Sequence, residues 1–149
     1  MRFLLLYFVL IISFAETSIV SAQPFPTAEV NFAGASEEGT ILLEVVSYGK
    51  RADIAMEEAQ KKAFYILLFR GVPGSQQPKP LVEDEIESYQ QHRAFYDEFF
   101  QQQRYRTFLM DAWPVSKFRK KHMIAHIKIN IGALRRDLQQ NKVIRNFGL

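Results

Sequence analysis

The chain has 149 residues, no cysteine and a net charge of +3 at neutral pH. The lack of cysteine removes thiol catalysis, cysteine-ligated zinc, disulfide stapling and an acylated N-terminal cysteine from consideration. The charge is uneven: residues 23–103 carry 7 basic and 13 acidic side chains (−6), and residues 104–149 carry 11 and 2 (+9). Either the two halves attract each other within the fold, or the basic half offers a surface to an anionic partner.

Residues 1–22 read as an export leader. Arg2 supplies the positive n-region and Phe3 to Phe14 an almost unbroken apolar run. Val20 and Ala22 are small residues at the −3 and −1 positions of a cleavage site, with Ser13 and Ala15 as the lesser alternative. The run is shorter than the ~20 apolar residues that span a bilayer, and Glu16 interrupts it. Cleavage after Ala22 leaves 127 residues (149 − 22), enough for one domain with its own core. Export without disulfides points to a bacterial periplasm or cell surface, and away from nucleic acid as a partner. No transmembrane segment is expected once the leader is removed.

Residues 23–38, rich in Pro, Ala and Glu, predict an extended arm, and 39–149 a single domain. "TILLEVVSYG" (Thr40 to Gly49) is β-branched and apolar on both faces, which predicts a central strand covered on both sides. A helix follows. Ala52, Ala55, Ala59, Ala63 and Leu67 form its apolar stripe, and Glu57, Glu58, Lys61 and Lys62 fall opposite as two i,i+4 pairs. Gly71 sits where a helix takes a left-handed C′ residue, and Pro73 prevents continuation. "YILLFRGVPGSQQPKPLV" is therefore a capped helix end and a surface loop. It is the wrong helix end for phosphate and lacks the P-loop spacing.

A second helix is expected over Leu81 to Gln103, with acids Glu83, Asp84 and Glu85 in its first turn and Val82, Ile86, Tyr89, Tyr96 and Phe99 or Phe100 as its stripe. "RYRTFLMDAWPV" predicts a strand, "KFRKK" a charged hairpin tip, and "HMIAHIKINIG" (His122 to Gly132) the clearest alternation in the chain. "ALRRDLQQN" closes the order β-α-α-β-β-α as a short helix. The fold class is α+β: a small antiparallel or mixed sheet with helices on one face.

The chemistry-bearing residues are weighed in that frame. His122 and His126 would share a face on a helix, but on a strand they stand ~13 Å apart, too far for one metal ion. The acidic groups Glu57–Glu58 and Glu83–Asp84–Glu85 would serve a glycan hydrolase only if a cleft joined two of them. None of Ser36, Ser47, Ser75, Ser88 and Ser116 lies in a nucleophile motif, and Ser75 is expected in a mobile loop. Tyr89, Phe95, Tyr96, Phe99, Phe100, Tyr105, Phe108 and Trp113 read as core, with Phe95 and Phe100 the expected exposed exceptions. No catalytic residue, metal or cofactor is assigned.

Three segments resemble a family of small exported proteins of Bacteroides-type bacteria with no assigned activity: "GKRADIAMEEAQKKAFYILLFRGVPGSQQPKPLV", "RYRTFLM" and "VIRNFGL". The strand–GK–alanine-helix opening is also similar to the N-terminal module of flagellar assembly protein T and related surface lipoproteins, although the lipid-bearing cysteine is missing here. That resemblance implies a structural or assembly role and carries over no functional residue. The expected function is a periplasmic, non-enzymatic module that binds an envelope protein or an anionic envelope surface. The expected contacts are Lys117, Arg119, Lys120, Lys121 and Arg145, with the loop Gly74 to Lys79 beside them. An envelope glycan hydrolase and a small lipid or ligand carrier are the alternatives.

Overall fold

The computed structural model describes residues 29–34 and 37–145. The expected leader, the expected cleavage site and the start of the arm lie outside the described residues. The elements are β1 (Val30–Gly34), β2 (Thr40–Tyr48), α1 (Ala52–Phe69), α2 (Glu85–Gln91), α3 (Arg93–Tyr96) running into a π-turn (Asp97–Gln101), a 3₁₀ turn (Arg104–Phe108), β3 (Leu109–Pro114), β4 (His122–Asn130) and α4 (Ile131–Gln140). The class is α+β: one antiparallel sheet, strand order β1-β2-β4-β3, with helices packed on it.

β2 and β4 form the spine. They pair in unbroken register from Thr40↔Asn130 to Tyr48↔His122. Because side chains alternate along a strand, Ile41, Leu43, Val45 and Ser47 meet Met123, Ala125, Ile127 and Ile129 on the inner face, and all eight are buried. α1 lies across this face. Ala55, Ala59 and Ala63 are fully buried there, since a methyl stripe lets the helix approach closely. Gly49 makes the entry to α1 possible: a Cβ on it would stand 2.6 Å from the Ala55 amide nitrogen.

The sequence and the structure differ at several points. The arm contains a strand: β1 pairs with β2, with a bulge between Phe32 and Gly34. β2 is central as expected, but among the described residues no helix covers its second face, where Leu42, Val46 and Ile124 are half-buried. The second helix is not continuous. His92 breaks it, and only Ser88 of α2 is buried. Ile86, expected on its stripe, is 73 % exposed; Glu85 instead turns inward to the Tyr65 hydroxyl (2.5 Å) and Arg70 (2.8 Å).

The expected exposure of Phe95 and Phe100 is not found. Tyr96 and Phe99 pack on Phe69 and Phe64 of α1. Phe95 stacks on Phe99 at 5.6 Å under the Arg104 guanidinium, 4.8 Å from its ring centre, and is buried, while Phe100 packs against Phe99 and is half-buried. Residues 104–108 are a 3₁₀ turn, so β3 is shorter than expected. The loop after α1 is also pinned. Gly71 adopts φ +76°, Val72 N–H donates to the Gln77 carbonyl at 2.8 Å, and Gln76 donates to the Thr40 carbonyl. Arg135 of α4 donates to Gln77 Oε1 at 2.6 Å. Ser75 donates to the Val72 carbonyl at 2.7 Å and so serves the turn itself.

Candidate functional site

The β3–β4 hairpin closes on a two-residue turn. Arg119 and His122 exchange backbone hydrogen bonds at 3.0 and 2.9 Å, leaving Lys120 (φ 47°) and Lys121 (φ 66°) as the central pair. Positive φ at both central positions is the type I′ geometry, which Asn-Gly fills most cheaply. Two lysines hold it here, at a steric cost roughly 1–2 kcal/mol per residue. Phe118 packs against the core and fixes the loop beneath the tip, and Ser116 Oγ accepts from Ile124 N–H at 2.8 Å.

The sheet register brings a second basic segment to the same end. Gly49 N–H donates to the Lys121 carbonyl at 2.8 Å, so Lys50 and Arg51 stand beside the tip. Lys50, Arg51, Lys117, Arg119, Lys120 and Lys121 are all exposed. Asp53 answers Arg51 at 2.5 Å, and the hydrogen-bonding guanidinium holds its carboxyl below the usual range. No ion pair among the described residues reaches the other five. The expected attraction between the acidic and basic halves is therefore slight. Only Arg104–Glu98, His126–Glu44 and Lys128–Glu37 cross between them among the described residues.

Sequence reasoning located the tip and missed Lys50 and Arg51. Antiparallel pairing of Thr40–Tyr48 with His122–Asn130 was the signal that would have placed them, because it sets residue 49 opposite residue 121. The exposed apolar side chains at this end were also missed: Tyr48 (50 %), Ile54 (43 %), Val115 (51 %) and, along β3, Trp113 (36 %).

Arg145 is not part of this end. It lines two adjoining open grooves of about 380 and 320 Å³ with Gln91, His92, Val143 and Ile144, and no tip residue lines either. Within the loop Gly74 to Lys79, Gln77 is buried and the backbone is closed on itself, which leaves Gly74, Gln76, Pro78 and Lys79 as its exposed part.

The carboxylates do structural work. Glu57 binds Lys61 (2.8 Å) and Gln103 (2.9 Å), and the Lys61 hydrogen bond lowers its pKa. Glu58 accepts from the Tyr48 amide (2.9 Å) and pairs with Lys62 (3.0 Å). Asp84 caps α2 through the Glu87 amide at 2.8 Å. Lys62, expected on the solvent face, is buried: its ammonium meets Glu29 at 2.6 Å and donates to the Val46 carbonyl at 2.7 Å. Nothing local distinguishes Lys62 from Lys61; the β1 edge closes over one and not the other.

His122 and His126 lie on the outer sheet face, His126 3.5 Å from Glu44 and at right angles to Trp113. No group of three or more metal-ligating side chains converges among the described residues. No helix there is long and apolar enough to cross a membrane. The chain matches no protein-family model, no curated protein and no solved structure.

Proposed function

We propose that the chain is an exported, non-enzymatic α+β module that docks on an anionic component of a bacterial envelope through the basic hairpin end. The observation that carries this reading is the convergence of two basic segments at one end of the sheet, five of their cations having no ion pair among the described residues. Uncompensated cations on a rigid hairpin steer an acidic partner and tie its affinity to ionic strength. The strained Lys120–Lys121 turn supports the same reading, because strain kept at a surface turn points to a role beyond folding. The likeness of the opening strand–helix unit to assembly modules is in keeping with it.

The test is co-purification from envelope extracts of the chain and of K117E/K120E. The wild type should retain partners that salt releases, and the charge reversal should lose them and most of that salt sensitivity. Identical capture by both would overturn the basic-surface reading.

A further inference from the structure

We propose that the hairpin end is built to sit on a lipid bilayer bearing anionic headgroups, an inference that rests on the docking reading above and names its partner. Three features separate a bilayer from an acidic protein. The first is composition. Exposed Tyr48, Ile54 and Val115 stand among the cations, with Trp113 along the adjoining edge. Lysine and arginine at headgroup depth, aromatic side chains at the water–hydrocarbon boundary and short aliphatics beyond it are the components of an interfacial contact.

The second is shape. Two grooves of the described surface are lined by residues 81–92 and 139–145, and neither takes a residue of this end. A protein partner gains its affinity from anchors seated in pockets, whereas a bilayer accepts a protruding tip. The third is how each apolar side chain is held. Tyr48 ends β2 with its ring 6.3 Å from His122, and Ile54 lies in the first turn of α1, one residue before Ala55, which abuts Gly49. Val115 N–H is tied to the Ile124 carbonyl at 2.8 Å. All three sit at the ends of regular elements, the Tyr48 amide tied to Glu58 and the Val115 amide to the Ile124 carbonyl, so the contact needs little ordering on binding.

Charge complementarity selects the lipid. The six cations less Asp53 leave +5 at this end, and each lysine or arginine near an anionic surface contributes about fivefold in affinity. A zwitterionic surface supplies no such attraction.

Trp113 is the chain's one tryptophan, so its fluorescence reports this end of the full chain and is blind to the leader. The full chain is titrated with vesicles of phosphatidylglycerol in phosphatidylcholine, with phosphatidylcholine alone, and with polyglutamate. A blue shift on the anionic vesicles, quenched by brominated acyl chains and absent on phosphatidylcholine, is expected. K120N/K121G should raise the half-saturating lipid concentration at least tenfold, and I54S/V115S severalfold. No shift on anionic vesicles, an equal shift on phosphatidylcholine, or I54S/V115S titrating as wild type would overturn the proposal. A shift with polyglutamate and none with vesicles would remove the lipid and leave the docking reading standing. No response to either would remove both.

Discussion

Lys61 and Lys62 are neighbours on α1 with opposite fates. Lys61 stays at the surface beside Glu57, while Lys62 keeps 1 % of its side chain exposed and lies between Glu29 and Glu58. Removing one member of a buried pair strands the rest, at ~3–5 kcal/mol. The two carboxylates here retain some water, so K62A should lower stability by about 3 kcal/mol in urea titration, and K61A by under ~1 kcal/mol. Equal effects would mean that the Glu29 contact contributes nothing. The hairpin apex has the opposite sign. Replacing Lys120–Lys121 by Asn-Gly relieves two left-handed non-glycine residues, and K120N/K121G should be more stable by about 1–2 kcal/mol. A variant that unfolds later and docks worse would show that the strain serves binding. A destabilised variant would show that the lysines support the fold.

Between elements, the α1 C-terminus is the point with least tolerance. Gly71 combines φ +76° with close packing: a Cβ would stand 2.4 Å from the Pro78 carbonyl oxygen and 2.6 Å from the Lys79 carbonyl carbon. The loop folds back over Gly71, and then Leu81 and Val82 donate to the Leu67 and Leu68 carbonyls. G71A should therefore lose more than the roughly 1 kcal/mol of a simple left-handed glycine, about 2–3 kcal/mol, because the returning loop must move as well. The urea midpoint measures it, and a loss under ~0.5 kcal/mol would disprove the close packing. The sharp stop was legible from Gly71 and Pro73. The loop's anchorage was not, because it depends on Gln76 meeting Thr40 and Gln77 meeting Arg135, contacts 36 and 58 residues apart.

At the scale of the molecule, an aromatic layer fills the space between α1 and the α2–α3 segment. Tyr89 stacks on Tyr96 at 4.2 Å, Phe69 lies 5.6 Å from Tyr96, and Ser88 shares a hydrogen bond with the Tyr96 hydroxyl at 2.7 Å. Burial pushes the Tyr96 hydroxyl up to about 12 and raises Tyr65 and Tyr89 too, Tyr65 with added help from Glu85. The folded state thus holds these protons above pH ~10, where unfolded tyrosine releases them. Their contribution is complete below pH ~10 and is lost as pH rises from there toward 12. Urea midpoints should be flat from neutrality to pH ~9.5 and fall beyond, with tyrosinate absorbance appearing together with unfolding. Ionisation of every tyrosine at pH ~10 without unfolding would contradict the burial.

Local pattern was enough for some of this. Alternation set the inner face of β4, the alanine period set the buried stripe of α1 from Ala55 on although Ala52 is exposed, and the run Lys117–Lys121 marked a hairpin tip, because each signal repeats within a few residues of itself. Other features arise from pairings that no short window contains. The β2–β4 register carries Lys50 and Arg51 to that tip, the β1 edge buries Lys62, and Phe99 and the returning Arg104 close over Phe95. Burial and charge density are properties of what the chain brings together from afar, so only the folded molecule selects one lysine of an adjacent pair for the core and gathers two distant basic segments into one surface.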